Sequence, residues 1–342
     1  MRLLLHIGHG KSGSSYLQSW LAVNTSSLAL QSGLLYPTQS PDDSFRDDRA
    51  LEGRFSMGNG HVLQALLESP SKPRRWRHNL LDKEGFSRRQ LNGLVFSFEG
   101  WAKQLDQLLP PLLRVADRWG VRRVELLMMI RDPLDHACSV YSQMVKRHGY
   151  TAGLEQWLDD YGFTARLLNS LELIESYHAR IKLTVVHYGR KKKSLLQELQ
   201  SWLELDPQLC WQPAPSLPVN RSLTADELVL MRCLNGRLGD AAAFVGEALV
   251  DQLPMLQPAC LIPSLDAIKA FNERWAGVVE RINVFLPKSA ALQLSVSSGL
   301  GQGNPVVSDI FSNDISLSCE QISCLINGLM KAIHSQPSGS QN

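Results

Sequence analysis

Leu3-Leu4-Leu5-His6-Ile7, then Gly8-His9-Gly10-Lys11-Ser12-Gly13-Ser14-Ser15, then Tyr16-Leu17-Gln18-Ser19-Trp20-Leu21 follow one another without a break. The first five residues, four of them apolar, read as a buried strand. The next eight form a glycine- and serine-rich turn, with Ser14 or Ser15 suited to cap a helix. Leu17, Trp20 and Leu21 recur at i, i+3, i+4, the spacing of one helix face. Strand, small-residue loop and helix is the arrangement by which an α/β protein holds a phosphate. Backbone N–H groups at the helix start point at the anion, and glycines let the chain approach it. Lys11 adds a full positive charge, and the serines add hydroxyl donors.

Gly10-Lys11-Ser12 invites comparison with the loop of nucleotide-hydrolysing enzymes. That pattern needs a glycine five residues before its final Gly-Lys; here the position is Leu5, inside the strand. The stretch instead resembles the 5′-phosphosulfate loop of sulfotransferases, in the form Lys11-Ser12-Gly13-Ser14-Ser15. The wider run HIGHGKSGSSYLQ is similar to the bacterial branch of that family. His9 stands where many members carry proline.

The chain has 342 residues, 44% hydrophobic and 20% charged, with net charge +2. Such a balance is ordinary for a globular protein and argues against wholesale nucleic-acid binding. No run approaches the ~18 consecutive apolar residues of a membrane span, and the N-terminus lacks a signal-peptide layout. Six cysteines, without C-x-x-C spacing, read as free thiols in a reducing compartment, so the expected location is cytoplasmic.

Three further apolar runs read as strands: Leu94 to Phe98, Leu126 to Ile130, and Leu183 to Tyr188. A short extended piece, Gly33 to Pro37, ends at a proline. Helical patterns lie between them: one through Leu105 and Leu108, interrupted or restarted at Pro110-Pro111; one from Leu134 to Arg147, with Asp132 suited to the N-cap and Pro133 to the first turn; and one over 154–180. Alternating strands and helices predict an α/β fold, a three-layer arrangement with a central parallel sheet flanked by helices. A polar loop over 38–60 and a basic cluster at Lys72, Arg74, Arg75, Arg77, Arg88 and Arg89 could meet an anionic ligand or simply face solvent. From Pro213 onward the patterns are helical, 295–316 reads as a loop, and the tail from Ser335 reads as disordered. The expected division is a core over 1–210, a helical part over 211–334 and a tail over 335–342.

Arg131 closes the third long strand, where ligands bind in open α/β sheets. Ser139 lies eight residues on, and at about 100° per residue it returns to nearly the same helix face as Asp132. The Arg131-x₇-Ser139 spacing again resembles sulfotransferases, although His136 stands where many members carry arginine. The resemblance covers roughly residues 1 to 210. It implies a P-loop-like sulfotransferase fold and 3′-phosphoadenosine 5′-phosphosulfate (PAPS) as co-substrate. By that resemblance Gly10, Lys11, Ser12, Gly13, Ser14 and Ser15 hold its 5′-phosphosulfate, and Arg131 with Ser139 its 3′-phosphate. A carbohydrate hydroxyl is the acceptor expected from the bacterial branch, though no residue here selects sugar over lipid or small metabolite. Lys11 is the expected catalytic cation, Glu99 the expected general base and His61 the second candidate. Arg221, in Asn220-Arg221-Ser222, is a candidate donor contact. No metal-ligand spacing is present. A kinase-like nucleotide enzyme and a non-catalytic nucleotide- or glycan-binding protein are the competing readings, and no pattern selects an oligomeric state.

Overall fold

The computed structural model describes residues 1–8, 10–39, 58–68, 91–98, 104–213, 221–295, 306–307 and 315–335. His9, Glu99, Asn220, the basic cluster at 72–89, residues 40–57 of the polar loop and the tail beyond Ser335 lie outside them. The chain divides into two compact units. One comprises Met1–Arg131, Thr164–Val219 and Val278–Leu292; the other comprises Asp132–Phe163, Asn220–Gly277 and Gln293–Asn342.

In chain order the elements are β1 (Arg2–Gly8), α1 (Ser14–Val23), α2 (Thr25–Ser32), β2 (Leu34–Leu35), α3 (Gly60–Glu68), β3 (Gly93–Phe98), α4 (Leu105–Arg118) and β4 (Val124–Ile130). There follow α5 (Pro133–Arg147), α6 (Leu154–Asp160), α7 (Phe163–Ser176), β5 (Ile181–His187) and α8 (Leu195–Leu203). Then come α9 (Ala225–Leu238), α10 (Ala243–Gln252), α11 (Leu265–Phe285) and α12 (Cys319–Ser335).

The first unit is built on a five-stranded sheet in the order β2-β3-β1-β4-β5, parallel throughout. Its central strands are apolar because helices cover both faces. Leu4, Val95, Leu127, Met129 and Val186 on the sheet pack with Leu17, Trp20 and Leu21 of α1 and with Leu195, Leu199 and Trp202 of α8. Trp20 is fully buried at the centre of that layer. The sequence expectation of a central parallel sheet flanked by helices therefore holds.

Local differences have identifiable causes. Pro110 and Pro111 do not interrupt α4. They sit early in a helix whose Leu105, Leu109, Leu112, Leu113 and Ala116 are buried, and the carbonyls they leave without a helical donor belong to the exposed Asp106 and Gln107. The helical pattern read over 154–180 forms two helices, α6 and α7, separated by an extended Tyr161. That ring is buried, and its hydroxyl lies 2.8 Å from His136 Nδ1. Tyr188 is not the last strand residue but opens one helical turn, Tyr188–Lys191. Val306–Val307, inside the expected loop, pairs in parallel with Leu261–Ile262.

The second unit holds α5, α6, α9, α10 and α12. Thr224 and Glu227 form a reciprocal capping box at the start of α9. Asp132 does occupy the N-cap position of α5 and Pro133 its first turn, but the Asp132 carboxylate makes no cap bond. It accepts instead from the backbone N–H of Gln293 at 2.7 Å. All six cysteines are free, and no described helix is long and apolar enough to cross a membrane.

Candidate functional site

The sheet order places β1 at the point where the chain reverses its direction of winding: β2 and β3 lie to one side, β4 and β5 to the other. Ligands of open α/β sheets bind beyond the carboxyl ends of strands at such a point. Here the ends of β1 and β4 are in register, Gly8 beside Met129, and Ile130 of β4 is beside His187 of β5. The glycine-serine loop leaves the first of these ends, Arg131 the second and Tyr188 the third.

Within the loop Lys11 and Gly13 both adopt left-handed backbone conformations, with φ of 66° and 84°. Ser12 between them is completely buried. Gly13, rather than Ser14 or Ser15, is the N-cap of α1, because the chain needs positive φ there. Its missing side chain also matters: a Cβ would lie 2.5 Å from Leu195 Cδ2 and 2.7 Å from Tyr188 Cε2. The first backbone bonds of α1 run from the N–H groups of Tyr16 and Leu17 to the Gly13 carbonyl. The N–H groups of Ser14 and Ser15 therefore precede the helical ladder, as at any helix start.

Arg131 closes the loop from the neighbouring strand. Its Nη1 donates to the Lys11 carbonyl at 2.7 Å, and its guanidinium carbon lies 5.1 Å from the centre of the Tyr188 ring. The structure thus brings Lys11, Ser12, Gly13, Ser14 and Arg131 to one carboxyl edge. Ser139 lies half-buried on α5, in the second unit. His61 is exposed on the first turn of α3, directly after Gly60, whose Cα abuts the ring of Phe98 at the end of β3. Glu99 follows Phe98 and is outside the described residues. Among the described residues no group of three or more His, Cys, Asp and Glu is arranged to hold a metal.

Beneath the loop lies a buried polar cluster. Ser97 Oγ on β3 sits 2.8 Å from His6 Nδ1 and accepts from Gln18 Nε2 at 3.1 Å. Asn59 takes the Ser97 N–H through Oδ1 and donates to the carbonyls of Pro37 and Val95. His6, Gln18, Ser97 and Asn59 are each at most 1% exposed. Burial pushes the His6 imidazole down to about 4, so it is neutral at ordinary pH. His6 Nε2, Ser12 Oγ and Ser14 Oγ are buried without a hydrogen-bond partner among the described residues.

Arg221, read as a candidate donor contact, does other work. Its Nε donates to the Leu253 carbonyl, Nη1 to Ser222 O and Glu227 Oε2, and Nη2 to Glu227 Oε1 and Leu249 O. All five N–H groups of the fork are spent inside the second unit. Sequence reasoning had no cue for this, nor for Tyr188 as the partner of both Arg131 and Gly13.

No protein-family model and no curated protein sequence matches the chain. Solved structures do. A sulfotransferase from Alicyclobacillus acidocaldarius aligns with a TM-score of 0.35 and 13% identity, over 73% of this chain and 96% of that one. A retinol dehydratase in complex with androsterone and the inactive cofactor PAP aligns with a TM-score of 0.34 and 10% identity, over 87% of this chain and 84% of that one.

Proposed function

We propose that this chain is a sulfotransferase that moves a sulfuryl group from PAPS to an acceptor hydroxyl, with a carbohydrate as the acceptor class. The observation that carries the reading is the Arg131–Lys11 contact, which joins the two motifs of the sequence at the carboxyl edge of one sheet. The chemistry of the loop fits a phosphosulfate. Two buried hydroxyls, on Ser12 and Ser14, have no hydrogen-bond partner among the described residues, and the helix-start N–H groups of Ser14 and Ser15 are adjacent. Gly13 lets the loop seat against Leu195 and Tyr188, where a side chain would collide.

When bound, the co-substrate supplies a sulfuryl group on a phosphate leaving group. Lys11 opposes the negative charge that builds on the bridging oxygen as the sulfur–oxygen bond breaks. Glu99 takes the proton of the attacking hydroxyl, with His61 as the second candidate; such general-base assistance is worth ~10²–10⁴-fold. Arg131 and Ser139 hold the 3′-phosphate, an assignment that rests on their spacing in the sequence. No step needs a metal. A cytoplasmic location fits the six free thiols.

The test is calorimetry with adenosine 3′,5′-bisphosphate, together with transfer of label from radiolabelled PAPS to a panel of oligosaccharides, lipids and small alcohols. Bisphosphate binding and label transfer insensitive to a chelator are expected. ATP-driven, chelator-sensitive transfer would favour a kinase, and bisphosphate binding without transfer to any acceptor would favour a non-catalytic protein. Glu99→Gln should abolish transfer and keep bisphosphate affinity; near-normal transfer would remove Glu99 from the reaction.

A further inference from the structure

His6 is fully enclosed, lies outside both Lys11–Ser15 and Arg131-x₇-Ser139 and has no part in the chemistry above, yet it is two residues before the loop on the strand that carries it. His6 and Gly8 share one face of β1, and Ser14 and Gln18, four apart, share one face of α1. These faces meet. A Cβ at Gly8 would lie 3.0 Å from Ser14 Oγ and 3.5 Å from His6 Nε2. Both of those atoms are buried, and neither has a hydrogen-bond partner among the described residues. They face the same side-chain-sized space, which exists because residue 8 is glycine.

One tautomer of the ring follows if Ser97 donates to it. Gln18 Nε2 donates to Ser97 Oγ, so the Ser97 hydroxyl is free to give its own proton, and His6 Nδ1 lies 2.8 Å away to accept it. A neutral imidazole that accepts at Nδ1 carries its hydrogen on Nε2. That N–H then faces Ser14. We propose that His6 is a positioning residue of the anion loop: its Nε2–H, fixed by Ser97 and Gln18, makes the Ser14 oxygen an acceptor, so that Ser14 gives its own proton to the bound anion. A serine hydroxyl can turn either way, and an anion site needs it turned to donate. Gln18 and Ser97 fix the His6 donor in advance, and the last link, not made in this structure, closes onto Ser14 when the anion pulls on that hydroxyl. The identity of the anion as a phosphosulfate rests on the function proposed above; the direction of the chain does not.

The experiment uses the full chain. Nitrogen-15 NMR of the histidines should show His6 in the Nε2–H form at neutral pH, with its Nε2–H resonance moving on addition of adenosine 3′,5′-bisphosphate and of inorganic sulfate. His6→Asn, which keeps a partner for Ser97 and removes the far donor, should weaken anion binding about tenfold. His6→Gln, which can restore a donor near the Nε2 position, should bind within about twofold of the native chain. The distinguishing measurement is the double-mutant cycle: in a Ser14→Ala background His6→Asn should have no further effect, whereas a merely structural role would leave its loss intact. If His6→Asn does not fold, Ser97→Ala, which frees the tautomer and keeps the ring, should mix the two NMR forms and weaken binding. An Nδ1–H tautomer, additive losses in the cycle, or no anion binding by the native chain would overturn the proposal. The same pattern with sulfate but no affinity for the bisphosphate would overturn the sulfotransferase reading and leave His6 in its role.

Discussion

The Nη1 of Arg131 donates to the carbonyl of Lys11 at 2.7 Å, across 120 residues of sequence. One end of the bond follows β1 and the other follows β4, neighbouring strands at the reversal of the sheet. The bond holds the carbonyl of a residue whose backbone is left-handed, and it brings a fixed positive charge to the loop. Tyr188, which follows β5, supports it, under the guanidinium on one side and against Gly13 on the other. The loop is therefore clamped at two of its residues by groups that follow two other strands.

Replacing Arg131 tests the clamp. Arg131→Met removes the charged donor and should weaken binding of adenosine 3′,5′-bisphosphate by about 10–100-fold, the range of a hydrogen bond to a charged group. Arg131→Lys keeps the charge but not the planar fork that both stacks on Tyr188 and reaches the carbonyl. It should recover only part of the loss in calorimetry. Full recovery by lysine would mean that charge alone matters and that the fork is incidental.

Lys11 combines the proposed catalytic cation with a backbone that favours glycine. An L-residue in the left-handed region costs roughly 1 kcal/mol that glycine avoids. Lys11→Gly and Lys11→Ala both lose the cation, so both should lose transfer by ~10² or more. They should differ in stability, with the glycine variant about 1 kcal/mol more stable to urea than the alanine variant. Equal unfolding midpoints would show that the loop relaxes around residue 11 and carries no strain there.

Arg221 and Glu227 make a buried ion pair, 2% and 0% exposed at the side chain. Burial raises the Glu227 carboxyl, but the Arg221 fork, the Gln321 amide and the Thr224 N–H outweigh it and hold the group below its ordinary range. Arg221→Met leaves that carboxylate enclosed without its cation and should cost about 3–5 kcal/mol in urea unfolding. Bisphosphate affinity of the folded variant should stay within about twofold of native, since no donor of Arg221 is left for a ligand. A selective loss of affinity with stability intact would restore Arg221 to the binding site.

The parts of this fold legible in the sequence are those where one requirement dominates. Leu3 to Ile7, Leu94 to Phe98 and Leu126 to Ile130 are strands enclosed on both faces, so apolar composition alone reveals them. Leu17, Trp20 and Leu21 reveal α1 by spacing. Where two requirements compete, local reading fails. Pro110 and Pro111 argue for a break, but the buried face of α4 outweighs two missing backbone bonds at its exposed side. Tyr188 looks like the last residue of an apolar strand, and only the sheet brings it under Arg131. Lys11 and Arg131 could be read singly as candidate anion contacts, whereas their mutual bond is tertiary. His6 is the extreme case: a polar residue in an apolar strand, whose partner Ser97 lies 91 positions away and carries no motif, with Gln18 bonded to that serine in turn.

His6 also gives the chain a defined response to acid. In the folded protein its imidazole titrates at about 4, lowered by burial, against an ordinary value of 6.5. Between these values the unfolded chain binds a proton that the folded chain refuses, so stability rises with pH across this window. The contribution is complete above about pH 6.5 and drains away as pH falls towards 4, by about 3 kcal/mol. The Glu227 carboxylate, held below its ordinary range, loses its own contribution at lower pH still, so a difference between native and variant isolates the histidine. Urea unfolding of the native chain and of His6→Gln should therefore be compared at pH 7, 5.5 and 4.5. The native curve should fall more steeply, and the stability gap between the two proteins should narrow by about 2 kcal/mol or more from pH 7 to 4.5. Parallel curves would mean that His6 takes up its proton within the fold, at a site open enough to hydrate it.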